Sequence, residues 1–134
     1  MRTAGLYLRI SKDMTGEGLA VERQRADGAR LVEMRGWKLH REYVDNDISA
    51  AGRKRRPGFE ALLKAVEDGE ITVIVSLSLD RLTRNRRDQV RLIETCQQHS
   101  VLVALVRGSD VDMTTAVGRA MADMMAVWAR MEIE

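Results

Sequence analysis

A chain of 134 residues that is 45% hydrophobic and 31% charged has the balance of one globular domain, which excludes a disordered tail. With only 4% aromatics the core falls to Leu, Val, Ile, Ala and Met, and the single cysteine, Cys96, excludes an internal disulfide. The formal net charge of +2 is small, no segment reaches the ~20 apolar residues of a membrane span, and Arg2 and Arg9 interrupt any signal-like start, so a cytoplasmic protein is expected. His40 and His99 lie far apart and Cys96 has no partner at zinc-site spacing, so no metal is expected.

Residues 3–10 (TAGLYLRI) make an apolar run of strand length, and a polar, glycine-containing loop follows from Ser11 to Gly18. From about Leu19 to Arg35 strong helix formers run without proline, and Gly36 is placed to end the helix before a second strand near Lys38–Val44. Asp45–Pro57 reads as a loop. Phe59, Leu62, Leu63 and Val66 fall at i, i+3, i+4 and i+7, an amphipathic helix that Gly69 stops. Ile71–Leu77 is a nearly all-apolar third strand, expected to be buried on both faces.

After Asp80–Arg87, the positions of Leu92, Ile93 and Cys96 predict another helix, and Val101–Val106 reads as a fourth strand. The order βαβαβαβα predicts an α/β fold, a mainly parallel sheet with helices on both faces, over residues 1–112. In such sheets ligands bind beyond the carboxyl ends of the strands, a rule that selects Ser11, Asp45–Ser49 and Asp80–Arg84. Residues 113–134 form a long C-terminal helix in which Val117, Met121, Met124, Trp128 and Met131 alternate spacings of four and three. A Met-rich stripe is ordinarily core. Here apolar residues surround nearly the whole helix, so a second subunit is expected on its far side, and the helix is expected to continue beyond Glu134.

Three sequence-distant clusters carry chemistry. Arg9 and Ser11 leave the first strand on one face. A serine just past a strand is ordinarily a turn or cap residue, but an arginine ending a buried strand can grip phosphate oxygens with its planar fork while the hydroxyl faces phosphorus. Asp80, Arg81 and Arg84 open DRLTRN after the third strand. Asp80 can be read as a plain helix cap, yet Arg81 and Arg84 at i and i+3 would project to one side and neutralise a phosphoryl transition state. Ser49 and Arg56 in the third cluster can reach the same edge. Basic runs at 53–56 and 81–91 are otherwise ordinary solvated faces.

These residues resemble the serine recombinases: resolvases, invertases and large phage-type integrases. YLRIS at 7–11 is similar to the family's Tyr-x-Arg-x-Ser motif, and LDRLTRN at 79–85 to its Asp-Arg-Leu-x-Arg motif. Glu22-Arg-Gln24 resembles the Glu-x-Gln of the first helix, and RRPGFEALL at 55–63 resembles an Arg-Pro-x-Phe stretch common in large integrases. Ala20 and Ala50 depart from a frequent serine and a frequent glycine. The resemblance implies Ser11 as nucleophile, Arg9, Arg81 and Arg84 as scissile-phosphate ligands, and Asp80 as acid for the leaving 3′-hydroxyl. It further implies Arg56 as another active-site arginine and Gln24 and Ser49 as supporting groups.

The implied reaction is site-specific cutting and rejoining of double-stranded DNA at attachment sites through a 5′-phosphoserine, with no cofactor, by dimers that pair into a tetramer on DNA. No helix-turn-helix or zinc ribbon follows the last helix, so base reading is expected beyond Glu134. Two other readings stand beside it: a non-catalytic phosphate-binding module, unsupported by any Gly-rich nucleotide loop, and an interaction domain using the Met-rich helix, which leaves the arginines unexplained.

Overall fold

The computed structural model describes residues 2–10, 17–46, 56–83 and 85–133. Along them run β1 (Thr3–Ile10), α1 (Glu17–Met34), β2 (Lys38–Asn46), α2 (Pro57–Glu67), β3 (Val73–Ser76), α3 (Leu79–Leu82), α4 (Arg86–His99), β4 (Leu102–Leu105), β5 (Val111–Asp112) and α5 (Ala116–Ile133). The strands form one sheet in the order β2-β1-β3-β4-β5. β1 pairs in parallel with β2 and β3, β3 pairs in parallel with β4, and β5 alone is antiparallel. The mainly parallel α/β architecture is as expected.

Two elements go beyond the expected βαβαβαβα order. α3 is a single turn, started by Ser78, and β5 is two residues long. Neither is long enough to leave a periodic pattern. Several boundaries also differ: α1 starts at Glu17 rather than Leu19, and β3 spans only Val73–Ser76 of the expected 71–77. Asp45 and Asn46, expected in a loop, continue β2, and Pro57 is the first residue of α2, where its missing N–H costs nothing.

The strand alternation divides the core between the two faces of the sheet. On one face Leu6, Leu8, Val73, Val75 and Ala104 meet Val32 of α1. A Cβ at Gly28 would collide with the Leu6 side chain, so this glycine lets α1 lie close on β1. On the other face Tyr7, Tyr43 and Ile74 pack with Phe59 and Leu62 of α2, Leu92, Ile93 and Cys96 of α4, and Ala122 and Ala126 of α5. β3 is buried along its whole length.

α5 meets the body through a stripe of small residues, Gly118, Ala122 and Ala126, all buried and four apart. Hydrogen bonds from Gln97 Nε2 to Asp123 Oδ1 (2.6 Å) and from Arg130 Nη2 to Glu94 Oε2 (2.7 Å) fasten it to α4. Its large apolar side chains point the other way: Val117, Met124 and Met131 are 71%, 74% and 64% exposed. No described helix is long and apolar enough to cross a membrane.

Candidate active site

The sheet order places a topological switch point between β1 and β3, because the chain leaves β1 for the neighbour on one side and returns to pair on the other. In parallel sheets ligands bind beyond the carboxyl ends of the strands at such a point. Arg9 stands at the end of β1, Asp45 is its register partner on β2, and α3 with Arg81 follows β3. Arg9 and Arg81 are both half-buried. Ser11, Ser49, Arg84 and the side chain of Asp80 lie outside the described residues.

Beneath this edge is a buried polar network that starts from Asp45, 3% exposed. Its Oδ2 accepts from the Tyr7 hydroxyl at 2.7 Å and from Phe59 N at 2.8 Å, and its Oδ1 accepts from Gly58 N at 2.7 Å. The first turn of α2 is thus capped by a carboxylate from β2 rather than by its own N-cap residue, Arg56, which makes no side-chain cap.

Arg56 completes the network. Its guanidinium, 6% exposed, donates from Nη2 to the Tyr7 hydroxyl (2.6 Å) and to the Leu82 carbonyl (2.9 Å), and from Nη1 to Asp88 Oδ2. Its Nε lies 3.8 Å from Asp45 Oδ2, and its carbon centre stands 4.4 Å from the Phe59 ring centroid. Tyr7, caught between donor and acceptor, is held neutral: burial raises its pKa above the ordinary tyrosine value, the bond to Asp45 raises it further, and Arg56 only partly offsets this.

The DRLTRN segment differs from its expected form in two respects. Ser78 rather than Asp80 caps α3, its hydroxyl accepting from Arg81 N at 3.4 Å. The helix then ends at Leu82, and Thr83 takes extended backbone with φ −118° and ψ 140°. The i, i+3 pairing read for Arg81 and Arg84 depends on position 84, which lies outside the described residues. A new helix starts at Arg86, with Asn85 Oδ1 accepting from Asp88 N at 2.9 Å.

Gln24 is buried on the stripe of α1 that also carries Val21, Gly28 and Val32. That stripe serves the sheet face opposite Tyr7, and the Gln24 Oε1 has no hydrogen-bond partner among the described residues. The basic runs are not uniform surfaces either. Arg56 is interior, and Arg91 forms a two-pronged pair with Glu60 at 2.6 and 2.9 Å, which lowers the Glu60 pKa. An apolar cleft of about 210 Å³ among Leu92, Ile93, Val103, Met121 and Met125 has no charged residue in its wall, so it offers nothing to a phosphate. Among the described residues no three His, Cys, Asp or Glu side chains are grouped to hold a metal.

Tyr7 and Asp88 were not among the site residues expected from sequence, and Asp45 was selected only as the start of a loop at the sheet edge. Asp45 had a signal, since it follows Tyr43 by two at a strand end and so shares its buried face. Asp88 had none: an acidic residue in the first turn of a helix is ordinary.

The family model for the resolvase N-terminal domain matches residues 4–134. The chain belongs to this family. It is 29% identical over 126 residues to the Transposon Tn2501 resolvase of Escherichia coli, covering 94% of this chain and 61% of that relative. Its fold is similar to the N-terminal catalytic domain of TP901-1 integrase, with a TM-score of 0.77 at 22% identity over 98% of this chain and 96% of the other. It also matches a resolvase family site-specific recombinase from Streptococcus pneumoniae, with a TM-score of 0.73 at 19% identity over 99% and 91% of the two chains. The chain thus spans about three fifths of the length of the curated resolvase it resembles.

Proposed function

We propose that this chain is the cutting module of a serine site-specific DNA recombinase. Family membership supports the reaction class, and one observation carries the site: Arg9 and the segment bearing Arg81 arrive from separate strands at the switch point of a parallel sheet. Phosphoryl transfer is mostly positioning and charge neutralisation, which arginines at such an edge can supply.

In the proposed reaction the Ser11 hydroxyl gives its proton to solvent water as its Oγ attacks the scissile phosphorus. The Oγ–P bond forms as the P–O3′ bond breaks, and the departing O3′ takes a proton from Asp80. Arg9, Arg81 and Arg84 hold the phosphate oxygens and favour the Ser11 alkoxide. The product is a 5′-phosphoserine with a free 3′-hydroxyl. Attack by the 3′-hydroxyl of an exchanged strand reverses the step and rejoins DNA without an external energy source. Gln24 and Ser49 are assigned supporting polar roles.

The partners in this reading are double-stranded DNA and further copies of the chain. The outward face of α5, where Val117, Met121, Met124, Trp128 and Met131 are exposed, is assigned to self-association as dimers and, on DNA, tetramers. A non-catalytic anion-binding module remains the competing reading. The two separate when the intact protein is incubated with DNA carrying its recombination site. A covalent protein–DNA band from wild type that Ser11→Ala abolishes supports the recombinase, and recombination by Ser11→Ala overturns it.

A further inference from the structure

The network under the catalytic edge contains one acidic residue whose placement the α4 helix itself does not require. Asp88 sits in the first turn of α4, where Asn85 already supplies the cap. Its carboxylate instead meets Arg56 Nη1, and its side chain is 16% exposed. Arg56 in turn reaches the Leu82 carbonyl through Nη2. One planar guanidinium therefore holds the last residue of α3 on one nitrogen and the first turn of α4 on the other. The chain between these two anchors runs from Thr83 to Arg87, and Arg81 lies one residue before the first of them.

A buried guanidinium tolerates its lost hydration only where charge and acceptors surround it. Asp45 is already engaged by Tyr7 and by two α2 amides, and stands 3.8 Å from Arg56 Nε. Asp88 is the carboxylate in direct contact with Arg56. Removing it frees the fork to turn and loosens the spacing between α3 and α4. The fixed shape of the fork matters, because a lysine would offer one charged point rather than two nitrogens at a set separation.

We propose that Asp88 is a positioning residue for DNA cleavage: through Arg56 it holds the start of α4 against the end of α3 so that Arg81 meets the scissile phosphate. The proposal rests on the recombinase reading above, and it gives Arg56 a part as strut. A displacement of about 1 Å in a phosphate ligand is enough to cost on the order of 100-fold in rate.

The test uses the intact protein on linear DNA carrying its recombination site, with the single-turnover cleavage rate, DNA affinity and urea unfolding midpoint measured together. Asp88→Ala is expected to slow cleavage by roughly 30- to 100-fold with DNA affinity nearly unchanged, and Asp88→Glu to recover most of the rate. Arg56→Ala and the double variant Arg56→Ala/Asp88→Ala should then show the same cleavage loss, because residues acting through one contact are not additive. Should Asp88→Ala fail to fold, Asp88→Leu, which keeps a similar volume but offers no acceptor, carries the same comparison. A role confined to helix stability would lower the unfolding midpoint while leaving the rate per active molecule intact, and that result overturns the proposal, as do additive losses in the double variant. A wild-type protein that forms no covalent adduct removes the recombinase reading first and this inference with it.

Discussion

The Tyr7 hydroxyl donates to Asp45 Oδ2 at 2.7 Å while accepting from Arg56 Nη2 at 2.6 Å, which joins β1, β2 and the start of α2 beneath the carboxyl edge of the sheet. Tyr7→Phe keeps the ring in its edge-on packing with Phe59 but leaves a buried carboxylate and a buried guanidinium each short of one partner. The expected cost is about 1–3 kcal/mol in urea unfolding. A change below about 0.5 kcal/mol would show that the network is not tightly held.

Arg81 is read as a phosphate ligand, and for such a group the loss should fall on the chemical step. Arg81→Ala is expected to lower the cleavage rate by roughly 100-fold or more with little change in stability. Arg87→Ala, an exposed neighbour on α4, serves as the comparison. Equal rates for the two variants would remove Arg81 from the phosphate.

Much of this arrangement was legible in the sequence because it is carried by long, regular patterns. The apolar runs at 3–10 and 71–77 gave the two strands that flank the switch point, and chain order alone brought Arg9 and Arg81 to one edge. The parts that were not legible depend on contacts distant in sequence. Nothing local distinguishes Asp88 as a partner for Arg56, and the extended backbone at Thr83, which ends α3 at Leu82, has no local signal. Asp45 was assigned to a loop because its neighbours are polar, yet it is the buried carboxylate that caps α2.

α5 closes on β5 at Gly118, where an added Cβ would collide with the Asp112 backbone. Gly118→Ala is therefore expected to shift or loosen α5 at a cost of about 1–3 kcal/mol, despite the better helix propensity of alanine. Hydrogen exchange provides the check: protection should fall along α5 and stay high in β1 and β3. Uniform protection would mean that β5 yields instead.

The exposed face of α5 yields a prediction for assembly. Met124→Asp or Trp128→Asp should lower self-association in sedimentation experiments while circular dichroism stays unchanged. An unchanged mass with retained fold would confine α5 to its own body.

Cys96 is buried in the core among α4 residues, and burial pushes its thiol pKa up from 9.0 to about 12. A folded-state pKa above the unfolded value contributes stability that is fully present below about pH 9 and is lost as pH rises toward 12. Tyr7, also raised, adds to the loss above pH 10. Urea midpoints should fall across this alkaline window, and the thiol should resist a disulfide reagent at pH 8 until the protein unfolds. Rapid reaction in the native state would contradict the buried placement.

The central claim is that the hydroxyl of Ser11 becomes covalently joined to DNA. The most direct test traps the protein–DNA adduct, digests both components and locates the linkage by mass spectrometry. The expected result is a phosphodiester from Ser11 to a 5′ end, with the opposite strand end carrying a free 3′-hydroxyl. Attachment through any other residue, or to a 3′ end, would contradict it.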